Sequence, residues 1–95
     1  MACTFVSRFR IKPEMEGEFI RLAGLMEEIS KEEPETQAYK FYRLAEPGMF
    51  AVYESFITDA GDEAHQQNPK NVPLIEQTVA CMDGFYSREY LYDLV

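Results

Sequence analysis

The chain has no tryptophan, a single histidine, two cysteines and only nine basic residues, and each scarcity closes off a class of protein. Cys3 and Cys81 are too few and too far apart to staple a small secreted scaffold, and they lack metal-ligand spacing, so both read as buried free thiols. With His65 as the one imidazole there is no second nitrogen to complete a soft metal site. Around it, only Asp62 with His65 or Gln66 falls at a helical separation of three or four, so no metal site is expected. Seventeen acids against nine bases give a formal charge of -8. That charge repels phosphate backbones and anionic lipid over a Debye length of about 8 Å, so neither nucleic acid nor membrane is expected as a partner. No apolar run approaches the ~18 residues of a membrane span, and charges interrupt the opening "MACTFVSRFRIK" too often for a signal peptide. The expected location is cytoplasmic. G-x-G-x-x-G, G-x-S-x-G and H-E-x-x-H are all missing, which leaves dinucleotide binding, esterase and zinc-protease chemistry without support.

What is present belongs to a globular protein: 46% hydrophobic, 14% aromatic and 27% charged, with no low-complexity tract or internal repeat. Ninety-five residues make one domain, 1–95, and a chain this short buries only roughly 60 to 65% of its unfolded surface, so pairing with a second copy is one remedy for its thin stability. From Cys3 to Lys12 the residues alternate, with Phe5, Ser7, Phe9 and Ile11 opposite Arg8, Arg10 and Lys12, which predicts a strand with one solvated face. Beyond Pro13, Met15, Phe19, Leu22, Ala23, Met26 and Ile29 recur at spacings of three and four, predicting an amphipathic helix ended by Pro34. "TQAYKFYRLAE" and "MFAVYESF" flank Pro47-Gly48 and read as a hairpin. Thr58 or Asp59 is placed to cap a short helix running to about Gln67. A further helix follows Pro73, with Ile75, Val79 and Met82 on one face, and a last strand runs from Gly84 through "FYSREYLYDLV".

Strand, helix, strand, strand, helix pair, strand is the order of an α+β fold: a ferredoxin-like antiparallel sheet with helices on one face. The other face then lacks a cover. Tyr39, Phe41, Tyr86, Tyr90 and Tyr92 exceed what a lone domain would comfortably expose, so two sheets are expected to pack face to face as a homodimer.

Chemistry concentrates in "VYESFITDAGDEAHQQNPK", residues 52–70. A period of two sets Glu54 on the same face as Phe50, Val52 and Phe56. An unpaired carboxylate on such a surface costs several kcal/mol or takes up a proton, and His65 is the only imidazole able to help it. Glu54 and His65 are therefore expected together at a cavity between sheet and helices. The strand "FAVYESF" followed by "DAGDEAHQQNPK", with the opening "FRIKPEMEGEFIRLAGLM", resembles the antibiotic biosynthesis monooxygenase family over nearly the whole chain. The resemblance implies a dimeric α+β barrel. It also implies cofactor-free oxidation of a quinol- or anthrone-like ring, with no metal, flavin or haem, and makes Glu54 and His65 the catalytic pair. Phe56 stands where the family usually has tryptophan, and Lys70 where a second histidine is often found.

On that reading His65 is the base, since an imidazole titrates near pH ~6.5, and Glu54 orients its ring. Lys70 or Asn68 stabilises the anion, and Phe41 and Phe56 stack on the substrate. Two alternatives stay open. One is an isomerase of a small carbonyl metabolite on the same fold, told apart by oxygen dependence; the other is a dimer that binds an aromatic metabolite without turning it over. A haem-degrading site is disfavoured, because its pocket needs a tryptophan.

Overall fold

A computed structural model describes residues 2–95. The opening alternation becomes strand β1, Cys3–Arg10, whose odd positions are buried while its even ones are half-buried or exposed. Ile11 continues the pattern as a single bridge to Met82, fully buried. Pro13 opens a short 3-10 turn, Pro13–Met15, that leads into helix α1, Glu16–Ser30. Phe19, Leu22, Ala23 and Met26 of the predicted stripe are buried, each large apolar member stabilising the fold by about 1.5–3 kcal/mol. The helix stops at Ser30, four residues before Pro34, and the chain turns through Lys31 to Glu35.

Strands β2, Thr36–Arg43, and β3, Met49–Phe56, form the expected hairpin. Gly48, at φ +83°, supplies the left-handed residue that its turn requires. Helix α2, Asp59–Gln67, begins after Thr58 in extended conformation. The Thr58 hydroxyl does not cap the helix as expected; it reaches Glu35 at 3.3 Å instead. Helix α3, Val72–Cys81, takes Pro73 into its first turn, where a missing N–H costs nothing. The last strand, β4, is only Ser87–Tyr90, paired with β1 opposite Phe5 to Arg8; the residues after Leu91 run free of the sheet.

The four strands lie in the order β2-β3-β1-β4, every pair antiparallel, which is the ferredoxin-like arrangement. All three helices pack on one face. Phe9, Phe19, Phe41 and Phe50 meet there, with Phe9–Phe19 and Phe19–Phe41 edge to face at 5.5 and 5.6 Å. One expectation is corrected here. Tyr39, Phe41, Tyr86 and Tyr90 do not populate the open face; they stand on the helix-covered side. For Tyr39 and Phe41 the cause is a bulge in β2: Thr36 faces Phe56, Ala38 faces Ser55, and Gln37 is the extra residue, so Tyr39 pairs with Glu54 and Phe41 with Val52; Tyr90 is placed by its pairing with the buried Phe5. The open face carries Thr4, Val6, Arg8, Tyr53, Lys40 and Tyr42 instead. No helix among the described residues is long and apolar enough to cross a membrane.

Candidate active site

Helix α2 buries two residues, Gly61 and His65, four apart and so on one face. A Cβ on Gly61 would stand 3.0 Å from the Cβ atoms of Glu35 and Phe56, so glycine is what lets the helix lie this close to the sheet. One turn on, the same face carries the His65 ring, 3% exposed, between Tyr39 and Phe56, with ring centroids 4.6 and 5.5 Å away.

The two ring nitrogens meet different surroundings. Nδ1 lies 2.9 Å from Oε1 of Glu33, a residue of the α1–β2 turn. Thr36 Oγ1 donates to the same oxygen at 3.0 Å, and Asn68 and Asn71 each donate to Oε2 at 2.9 Å. Burial alone raises the Glu33 pKa, but the bonds from Asn68, His65 and Thr36 outweigh it and hold the carboxyl below the ordinary 4.5. Asn71, fully buried at the start of α3, also donates to the His65 carbonyl at 3.2 Å.

Nε2 points the other way, toward Glu54 Oε1 at 3.8 Å, longer than a hydrogen bond. Glu54 is 6% exposed, and burial pushes its pKa to about 8, with Asp62 and Glu33 adding to the rise and Arg88 opposing it. At neutral pH this carboxyl therefore keeps its proton. Arg88, on β4 opposite Ser7, lies over the Phe5 ring at 3.9 Å and touches Asp62 and Tyr90 at 3.4 Å. Burial works against its charge, but Tyr90, Asp62 and Glu54 favour it more, so the guanidinium stays cationic. Tyr39 is held protonated well above its usual range, first by burial and then by Glu54, Glu33 and Glu27.

Of these groups His65, Glu54, Arg88 and Tyr39 line a cavity of about 200 Å³, whose remaining wall is mostly apolar, with Phe9, Phe41, Val52, Ile75, Val79 and Met82 among its residues. Of the predicted face of α3, Ile75 and Met82 pack against the core as well as lining the cavity, whereas Val79 lines it and is 49% exposed. A carboxyl, an imidazole and a guanidinium at one cavity are groups able to exchange a proton with a bound molecule and to stabilise negative charge on it. No three His, Cys, Asp or Glu side chains among the described residues are grouped as a metal ion requires.

Of the residues singled out from sequence, His65, Glu54 and Phe41 meet at this cavity. Phe56 is fully buried behind the imidazole, against Phe5 and His65. Asn68 is turned to Glu33, and Lys70 pairs with Glu32 on the surface with both side chains about two-thirds exposed. The bond to the ring, expected from Glu54, comes from Glu33. Sequence reading missed Glu33, Asn71 and Arg88. Glu33 sits in a run of five charged or proline residues, "KEEPE", that reads as a solvated turn, and Arg88 alternates with tyrosines as any edge-strand base does. Only the alternation placing Arg88 beside Tyr86 and Tyr90 carried a signal.

Known proteins agree with this architecture. The chain superposes on Rv0793 from Mycobacterium tuberculosis with a TM-score of 0.90 at 17% identity, covering 100% of this chain and 97% of that one. It superposes equally, at 0.90 and 20% identity, on a crystal structure of an antibiotic biosynthesis monooxygenase, each chain covered in full. A conserved protein from Methanosarcina mazei Go1 gives 0.88 at 20% identity, with 96% and 91% covered. No curated protein matches the chain. The family profile described as antibiotic biosynthesis monooxygenase matches residues 3–71, which takes in β1 through α2, with Glu33, Glu54 and His65. The chain belongs to the antibiotic biosynthesis monooxygenase family.

Proposed function

We propose that the protein is a cofactor-independent monooxygenase of a compact quinol- or anthrone-like aromatic, working as one domain in a homodimer whose open sheet faces meet. The observation that carries this reading is that His65, the neutral Glu54 carboxyl and the Arg88 guanidinium line one mostly apolar cavity, with His65 Nε2 3.8 Å from Glu54. Substrate binds with its ring against Phe41, Phe9 and Val52. His65 Nε2 takes the proton of an acidic C–H or O–H. Arg88 and the Glu54 O–H stabilise the anion, which a dry, preorganised site does far better than water.

The delocalised anion passes one electron to O2, and the two radicals recombine to a peroxide. That peroxide takes back the proton and loses water. The sum is a substrate RH2 plus O2 giving R=O plus H2O. A chamber of about 200 Å³ lies below the roughly 300–1,000 Å³ of drug-sized sites, which favours one- and two-ring substrates over larger ones.

The test is oxygen uptake with a panel of quinols, naphthols and anthrones, using isotopically labelled O2 and no added metal or flavin. The expected result is one O2 consumed per substrate, with one labelled oxygen in the product. Reversible binding of a panel member without uptake would replace this reading with a binding dimer, and turnover that persists without oxygen would replace it with an isomerase.

A further inference from the structure

We infer that Glu33 is the positioning residue of this site: it fixes the His65 tautomer that carries its hydrogen on Nδ1, leaving Nε2 bare and facing the cavity. Three observations carry it. Glu33 Oε1 is 2.9 Å from Nδ1, a contact that requires a hydrogen on the nitrogen, because a bare Nδ1 would turn its lone pair on a carboxylate. The two oxygens of Glu33 already accept four hydrogen bonds, from His65 and Thr36 on one and from Asn68 and Asn71 on the other. Those bonds occupy the roughly four lone-pair sites a carboxylate has, so it holds a proton donor without having room to take the proton. Asn71 cannot reverse the arrangement. Its amide nitrogen also lies 3.2 Å from Nδ1, but an amide has two hydrogens, and Glu33 Oε2 at 2.9 Å and the His65 carbonyl at 3.2 Å take both; turning the amide over would set its oxygen against the carboxylate.

The tie also fixes where the ring points. His65 has Tyr39 and Phe56 on its flanks and a hydrogen bond at its back, so the imidazole has no free rotation and Nε2 stays beside Glu54. The role suits the proposed reaction, on which the kinetic part of the inference rests. That reaction returns to the peroxide the proton it takes from the substrate, so nothing need leave through Glu33, and an ionised, fully bonded carboxylate is the right neighbour.

The experiment uses the fact that His65 is the chain's only histidine, so every imidazole signal in the full-length protein belongs to it. Two-bond proton–nitrogen correlation at a pH where the ring is neutral reports which nitrogen is bare. The expected result is a protonated Nδ1 and a bare Nε2 in the wild type. In Glu33→Gln the new amide must present its NH2 group either to the Asn68 and Asn71 donors or to Nδ1, and the second choice favours hydrogen on Nε2. The ring is therefore expected to shift to the Nε2–H form, wholly or in part, while oxygen uptake falls by roughly 100-fold or more in kcat with KM little changed.

Asn68→Ala, which loosens Glu33 without touching the ring, moves both readouts the same way and serves if Glu33→Gln does not fold. A wild type carrying its hydrogen on Nε2 overturns the inference, as does a folded Glu33→Gln with the wild-type spectrum and rate. A wild type with a bare Nε2 and no oxygen uptake leaves the Glu33 assignment standing and removes the oxygenase reading alone.

Discussion

Glu54 and Glu33 flank one imidazole and have their pKa values shifted in opposite directions, because one is buried against a mostly apolar cavity with no hydrogen-bond partner close by and the other is surrounded by donors. The raised pKa of Glu54 means that the folded protein keeps a proton that the unfolded chain releases above pH 4.5. Its contribution to stability is therefore complete below that pH and is lost as the pH rises through about 8. Glu33 does the reverse, supporting the fold above its ordinary pKa and losing that support as the pH falls through its lowered one. Glu54→Gln, which stays neutral, removes the first dependence only. Denaturant melts from pH 5 to pH 9 should show the variant gaining on the wild type by a few kcal/mol across the interval, at roughly 1.4 kcal/mol per pKa unit. Parallel curves would mean that Glu54 is ionised throughout.

Two backbone details at the level of elements build the site, and neither is an apolar stripe. The bulge at Gln37 turns Tyr39 toward His65, and Gly61 brings α2 down onto Phe56 and Glu35. Gly61→Ala should gain helix propensity yet lose more to overpacking, lowering stability by about 1–3 kcal/mol in thermal or urea melts. A variant as stable as the wild type would show that α2 can lift without cost. The alternation of β1 and β3 made Glu54's company with Phe50, Val52 and Phe56 legible in the sequence, and the stripe of α1 made its buried face legible too. The side taken by Tyr39 and Phe41 was not legible, since period-two alternation tells which residues share a face but not which face is covered, and one extra residue exchanges them. Glu33 and Arg88 were hidden for another reason: nothing local separates a carboxylate held by four donors from the other acids of a strongly acidic chain.

Over the whole molecule the cavity has two origins. His65, Glu54, Phe9, Tyr39 and Phe41 lie within the segment that matches the family, residues 3–71, whereas the α3 wall, Tyr86 and Arg88 lie beyond it. The sheet's other face has no helix, and Val6, Tyr53 and Tyr42, the last half-exposed, provide the apolar part of the proposed contact between copies. Sedimentation should give twice the chain mass for the wild type and the single chain mass for Val6→Asp; an unchanged dimer in that variant would move the contact elsewhere. The account as a whole depends on His65 acting from inside the cavity. Its most direct test compares oxygen uptake by the wild type and His65→Gln on whichever panel ring the wild type oxidises, with fold checked by circular dichroism. The account predicts a loss of roughly 100-fold or more in a folded variant, and a folded His65→Gln that consumes oxygen at the wild-type rate would contradict it.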